Sequence, residues 1–380
     1  MFNKNSKIII VGAGPIGCYT AQLLKHHGFD PLLIEEHSEV GKPVQCAGIV
    51  GKGIFEEMQL PVSRDSIINT INGGRVNFNG DSFELRRKNV AYIINRETFD
   101  KNLSKDLKID FNTKFLDVEK SKNKGYVVKT TNGEYYADLV IGADGPNSKV
   151  RANWSFVSDM KLYRGYQYRL KINPKDKDVV EVYYLKPFSL FIWLIPEGNG
   201  VGRVGVISEK PYQDLNHFLE IRGINNAEII EKNAGLIPIG TCQLVKEGVA
   251  LVGDAACQLK PITSGGIYYG MKSAEILAEA IKSNDLPSYE IRWKDKFEQE
   301  VRFCLMARSM TENMDEKTLK KVFQYLKENV SVIEKIGDFE NHSSVVWSLM
   351  SNPLTYSTIG AVMWNFVKSP QLLLKLMKRK

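Results

Sequence analysis

The sequence predicts an α/β fold: a Rossmann-like nucleotide-binding domain, discontinuous in the chain, joined to an antiparallel-sheet substrate domain and followed by a helical C-terminal region. Three observations predict it. The run Ile8-Ile9-Ile10-Val11 meets a glycine turn and then a segment of helical period. Alternating apolar and polar stretches fill residues 160–208, and from about residue 287 the pattern is helical throughout.

Residues 7–11 read as a buried strand, 15–27 as a helix and 31–35 as a second strand, the βαβ opening of a parallel, doubly wound sheet. Two hairpins follow, with turns at Asn79-Gly80 and Asn132-Gly133, a residue pair that tolerates positive φ. The stretches "YRGYQYRLKI", "VVEVYYL", "SLFIWLIP" and "GRVGVIS" alternate as strands with one buried face. "GVALVGDAA" returns to a buried strand, and "SGGIYYGMKSAEILAEAIKS" runs at helical period. The expected division assigns residues 1–75, 95–158 and 240–286 to the nucleotide domain, 76–94 and 159–239 to the substrate sheet, and 287–380 to the helical region.

With 380 residues and 43% hydrophobic content the chain can bury a full core. Its five cysteines are odd in number and dispersed, with no CxxC or Cys/His cluster, so neither a disulfide framework nor a metal site is expected. A reducing cytosol fits this usage. The N-terminal apolar run is short and leads into glycines, which suits a strand rather than a secretion signal. Net charge is +7, yet no nucleic-acid-binding module is present, so nucleic acid is not expected as a partner. No charged residue falls between Glu340 and Lys368, after which the chain ends "KSPQLLLKLMKRK". An apolar tract followed by a basic end favours peripheral contact with an anionic membrane surface. Asn352-Pro353 and scattered polar residues argue against a span.

"VGAGPIG" supplies Gly12, Gly14 and Gly17 in G-x-G-x-x-G spacing between strand and helix. Glycines permit the tight turn and close backbone approach, while the helix N-terminus offers free N–H groups to a pyrophosphate. Glu35 ends the second strand, where a carboxylate can accept both ribose hydroxyls of an adenosine. A carboxylate there disfavours a 2′-phosphate, leaving FAD or NAD.

"IGADGPNSKVR" (141–151) and "LVGDAACQLKPITSGGI" (251–267) resemble the second and third flavin motifs of the p-hydroxybenzoate-hydroxylase-fold flavoproteins. The resemblance implies FAD as cofactor, with Asp254 holding a ribityl hydroxyl, Arg96 of "INRETFD" reaching the ribityl or pyrophosphate region, and Asp144 and Gly145 buttressing the groove. Gly265 and Gly266, opening a helix, would aim N–H groups at the N1/O2 edge of a reduced flavin.

Within that fold the chain resembles the geranylgeranyl reductases, including the archaeal digeranylgeranylglycerophospholipid reductases. "VGKPVQCAGIV" resembles the family's cysteine-bearing segment, with Cys46-Ala47-Gly48 where the family more often has Cys-Gly. "FSLFIWLIP" resembles the family's P-x-x-Y-x-W-x-F-P, matching at Trp193 and Pro196 and departing at Phe188, Phe191 and Ile195. The same stretch also resembles the W-x-W-x-I-P motif of flavin-dependent halogenases, so a monooxygenase or halogenase is the rival reading, and a non-catalytic flavin-binding protein at a membrane surface a more distant one. The family resemblance implies saturation of isolated double bonds in polyprenyl chains, with electrons from NAD(P)H or a ferredoxin, since only one dinucleotide fingerprint is present. Hydride delivery to an unactivated alkene needs a proton almost in step, which gives Cys46 a role as donor or as its positioner. Packing and redox activity are the alternative roles for that thiol. Tyr166, Tyr168, Tyr183, Tyr184, Phe188, Phe191 and Trp193 either line an apolar tunnel or form an ordinary sheet core, Trp193 being the one assigned to the site.

Overall fold

The computed structural model describes residues 2–122, 125–184 and 191–345. The expected membrane-contacting segment and Phe188 lie outside the described residues.

Ile8–Val11 is buried at all four positions because both faces of its sheet are covered, so its sequence is uninterrupted by polar residues. It pairs in parallel with Leu32–Ile34 on one side and Leu139–Gly142 on the other. Beyond these lie Lys108–Asp110 at one edge, and at the other Val249–Leu251 and the short antiparallel Val245–Lys246, making six strands. The chain therefore leaves the centre in both directions, and the crevice at the carboxyl ends of the central strands is where such sheets bind ligands. The helix Pro15–His26 begins with proline at its first turn, where a missing N–H costs nothing, and packs against the helix Ile267–Lys282.

The eight-stranded sheet runs in the order Ile229–Cys242, Ser158–Lys171, Val201–Ser208, Phe191–Gly198, Val179–Tyr184, Ile67–Phe78, Asp81–Ile94, Ile49–Gly51. Its pairing reaches upstream of residue 76, taking in the whole of Ile67–Phe78 and Ile49–Gly51. One pair departs from the antiparallel expectation: Val179–Tyr184 runs parallel to Ile67–Phe78. A parallel neighbour needs a long crossover, and here the intervening chain supplies it by passing through the other sheet.

Alternation gives this sheet two different faces. Tyr168, Leu170, Tyr183, Ile192, Leu194, Val204 and Val206 are buried beneath Leu215, Phe218 and Leu219 of the helix Pro211–Ile221. Each such side chain contributes about 1.5–3 kcal/mol on burial. The opposite face carries Ile71, Ala91, Ile93, Val180 and Ile195, with Val182 and Trp193 partly buried beside them, and looks into the interior between the sheets.

The hairpin at Asn79-Gly80 has both residues at positive φ (47° and 85°), the type I′ geometry its sequence predicts. The second hairpin forms, but its turn is shifted. Thr130 pairs with Gly133, so Thr131-Asn132 make the turn and Gly133 begins the strand. The Thr130 hydroxyl decides this: its Oγ1 accepts from Asn132 N at 3.1 Å and donates to Gly133 O at 2.8 Å.

From Ser288 to Ile336 the chain is mainly helical, through Gln299–Asn313, Glu316–Glu328 and Val330–Ile336. Asp315 caps the second of these, accepting from Thr318 N at 2.7 Å, and Phe323 seats the helix on Phe78 and Phe83. Among the described residues no helix is long and apolar enough to cross a membrane. All five cysteines are free.

Candidate flavin site and active site

A cavity of about 1090 Å³ runs from the crevice of the six-stranded sheet to the inner face of the large one. Gly12, Gly14, Glu35, Cys46, Arg96, Asp144, Gly145, Trp193, Asp254, Gly265 and Gly266 all line it. Gly17 lies behind the wall, its Cα against the Gly12 carbonyl.

The nucleotide end is built by the first strand and its turn. Gly12 adopts φ +100°, and a Cβ there would meet Ala143 O at 2.5 Å, so only glycine lets the two strand ends approach. A Cβ at Gly14 or at Gly145 would meet nothing within 4 Å, because both open onto the cavity. Glu35 Oε2 accepts from Ala13 N at 2.8 Å, and its Oε1 accepts from His37 N at 3.0 Å. The His37 ring nitrogen Nδ1 also lies 2.6 Å from Oε1, so the carboxylate is fixed at the strand end with Oε2 the oxygen left to meet a ribose hydroxyl.

Asp254 stands in the wall with no hydrogen bond to its carboxylate among the described residues. Burial pushes its carboxyl up to about 6, against the pull of the Arg96 charge. Gly266 leaves it room, since a Cβ there would lie 2.7 Å from Asp254 Oδ1. The helix Ile267–Lys282 starts at this point, so its first N–H groups, which have no acceptor within the helix, face the cavity. Arg96 opens the helix Arg96–Leu103 and is held by Asp100, donating through Nε at 3.0 Å and Nη2 at 2.8 Å. Burial opposes its charge, but the Asp100 carboxylate and the Cys46 sulfur outweigh that and hold its pKa above the ordinary value. Asp144 is turned partly to structure: its Oδ2 accepts from Val150 N at 3.1 Å, while its buried Oδ1 has no hydrogen-bond partner among the described residues, and burial raises its pKa.

These walls fit FAD. The volume slightly exceeds the roughly 300–1,000 Å³ of ordinary small-molecule pockets. Open space lies at a helix start, where a pyrophosphate would be bound, and Asp254, whose carboxylate has no hydrogen bond among the described residues, would meet a polyol.

At the other end, Trp193 donates from Nε1 to Gln167 Oε1 at 2.9 Å, and Gln167 Nε2 reaches the Cys46 carbonyl at 3.5 Å. The Cys46 sulfur accepts from Gly48 N at 3.3 Å. The loop carrying it is anchored from below by Arg203, whose Nη1 donates to Ala47 O at 2.7 Å and Nη2 to Ile94 O at 3.3 Å. Glu197 holds Arg203 through Nε at 3.1 Å and also binds Arg169. Burial would raise the Glu197 carboxyl, but the two guanidinium groups outweigh it and lower its pKa. Phe191 lines the cavity beside Trp193, whereas Tyr168 and Tyr183 belong to the core under the helix Pro211–Ile221. Tyr166 does both, packing edge-on against Tyr168 while reaching the cavity, and Tyr184 is 38% exposed.

Four residues with no assigned role in the sequence emerge here. Gln167 and Arg203 act as above. Arg151 joins two flavin motifs by donating to Pro146 O and Ala255 O, both at 2.7 Å. Lys260 is buried beside Gly265, donating to Phe339 O at 2.8 Å and pairing with Glu340 at 3.0 Å. A polar residue at an inward strand position was the available signal for Gln167 and Arg203.

The glycine turn, the fixed carboxylate at the second strand and the cavity-lining Asp254 are the wall of an FAD-dependent oxidoreductase. A family model described as FAD binding domain matches residues 5–214. An uncharacterised protein of Methanocaldococcus jannaschii is 30% identical over 371 residues, covering 90% of this chain and 94% of its own. A digeranylgeranylglycerophospholipid reductase of Methanosarcina acetivorans is 28% identical over 388 residues, covering 90% and 95%. A solved geranylgeranyl bacteriochlorophyll reductase-like protein from Thermoplasma acidophilum superposes with a TM-score of 0.79 at 25% identity, covering 91% and 98%. The chain belongs to the FAD-binding domain family of oxidoreductases, and its relatives include proteins named as reductases of geranylgeranyl lipids.

Proposed function

We propose that this enzyme saturates isolated double bonds in polyprenyl (geranylgeranyl) chains of archaeal-type ether lipids or their precursors. The observation that carries the reading is one continuous cavity. Its polar end fits FAD, and its other end is walled by Ile71, Val180, Val182, Ile195, Phe191 and Trp193, with a single thiol, Cys46, between. Bound FAD supplies the reducing equivalents. The apolar wall excludes water and seats an alkene, Cys46 provides the proton to the second carbon or positions its donor, and Trp193 fixes the alkene's approach. NAD(P)H or a ferredoxin delivers the electrons, and the basic C-terminal end brings the cavity mouth to an anionic bilayer.

The deciding experiment is anaerobic incubation of chemically reduced enzyme with digeranylgeranylglycerophospholipid. Mass spectrometry should show the gain of H₂ for each bond reduced. An unchanged lipid, or an oxygenated product once air is admitted, would overturn the reading in favour of a monooxygenase. Membrane contact is tested separately by co-sedimentation with anionic liposomes, which should fall with salt and with deletion of residues 369–380.

A further inference from the structure

Glu300 and Cys304 sit one turn apart on the same face of the helix Gln299–Asn313, and both are buried, at 8% and 1% exposure. The segment after the last described helix returns to this face and places His342 on it. One carboxylate oxygen, the Cys304 sulfur and a His342 ring nitrogen all lie within 4.8 Å of one another. The Cys304 thiol donates to Glu300 Oε1 at 3.2 Å, and the same oxygen accepts from His342 N at 2.7 Å. Glu300 therefore already draws the segment in. What these bonds leave over is His342 Nδ1, which is buried and has no hydrogen-bond partner among the described residues. A buried lone pair or N–H without a partner is uncommon, and this one lies beside a thiol and a carboxylate.

We propose that Glu300, Cys304 and His342 bind a zinc ion that fastens the segment Gly337–Val345 to the C-terminal helices. Sulfur, imidazole nitrogen and carboxylate oxygen form the borderline-soft donor set that selects zinc over magnesium or calcium. Bonds of about 2.0–2.3 Å to a tetrahedral ion would draw the three atoms to roughly 3.5 Å apart, a closure within reach of small rotamer shifts. Binding replaces the S–H bond of Cys304 by a Zn–S bond and releases that proton to solvent. The fourth position is left to water or to the second oxygen of Glu300.

The clasp matters to the cavity because Gly337, Asp338, Phe339, Glu340 and His342 form part of its wall. Zinc would hold that wall closed without touching the flavin contacts.

The test uses the full-length holoprotein, purified without chelators, stripped, and titrated with zinc in competition with a chromogenic chelator. Elemental analysis should find one zinc per chain after desalting, and cobalt substitution should give the intense near-ultraviolet band of a thiolate-to-metal transition. Cys304→Ser and His342→Gln should each lower zinc affinity by more than the roughly 10–100-fold seen when a mere supporting residue is lost. Cys304→Ser, at a residue that does not line the cavity, should keep its FAD. A wild-type protein that takes up no zinc at micromolar concentration would overturn the proposal, as would uptake that neither substitution changes.

Discussion

The indole N–H of Trp193 lies 2.9 Å from Gln167 Oε1, and through that one amide the tryptophan is tied to the backbone of the Cys46 loop. The substrate wall and the candidate proton donor are thus held in one register by a residue that is 5% exposed. Gln167→Leu should leave FAD content unchanged and cut kcat on the order of 10²-fold, the loss that a small misplacement of reacting groups produces. Gln167→Glu, which keeps an acceptor for the indole, should recover part of it. Turnover of the prenyl lipid unaffected by Gln167→Leu would remove the positioning role.

Cys46→Ser keeps the shape and a weak donor but is far less acidic. Flavin binding should persist while lipid reduction slows on the order of 10²-fold, within the range ascribed to general acid catalysis. Single-turnover oxidation of the reduced enzyme by substrate checks this, and Cys46→Ala should be slower still. An unaltered rate would make the thiol a packing residue.

FAD affinity should depend on pH through Asp254. Its carboxyl is raised to about 6, and only the ionised form accepts fully from ribityl hydroxyls. Affinity should therefore tighten as pH rises through about 6 and level off above it, and Asp254→Asn should flatten the curve. Glu35→Ala should weaken binding by about 1–3 kcal/mol. Fluorescence titration of the apoprotein at several pH values measures both.

Glu197 carries an acid-stability signature. Its folded pKa is lowered, so the stability it contributes is fully present above the ordinary glutamate value of about 4.3 and is lost as pH falls below that, through the folded value. Glu197→Gln should lessen this acid limb of the Tm-against-pH profile. Glu197→Ala should cost about 3–5 kcal/mol near neutral pH, because it leaves the buried Arg203 short of its partner.

The legible parts of this molecule are those written locally. The turn of Gly12, Gly14 and Gly17, the strand-ending Glu35 and the Asn79-Gly80 hairpin each depend on neighbours a few residues away or on a fixed βαβ spacing. Arg151, Gln167 and Arg203 were opaque for the opposite reason, since their partners Ala255, Cys46 and Ala47 lie 104, 121 and 156 residues distant. The shifted turn at Thr131-Asn132 was lost to a side-chain hydroxyl competing with a strong turn dipeptide. The parallel placement of Val179–Tyr184 is a matter of topology, which alternation alone does not encode. Glu300 and Cys304 read as ordinary helix residues until the returning segment brings His342 to them.

That parallel strand also governs how the protein can be made. Neither of the two larger sheets is contiguous: Ile8–Val11 waits for Leu139–Gly142, and Ile67–Phe78 waits for Val179–Tyr184. A chain leaving the ribosome therefore exposes these unpaired strand edges until nearly half of it has been synthesised. Such long-range pairing makes folding slow and cooperative, so cofactor crevice and substrate wall come into being together. Cutting the gene at a sheet boundary should yield two insoluble fragments rather than a flavin-binding half and a lipid-binding half.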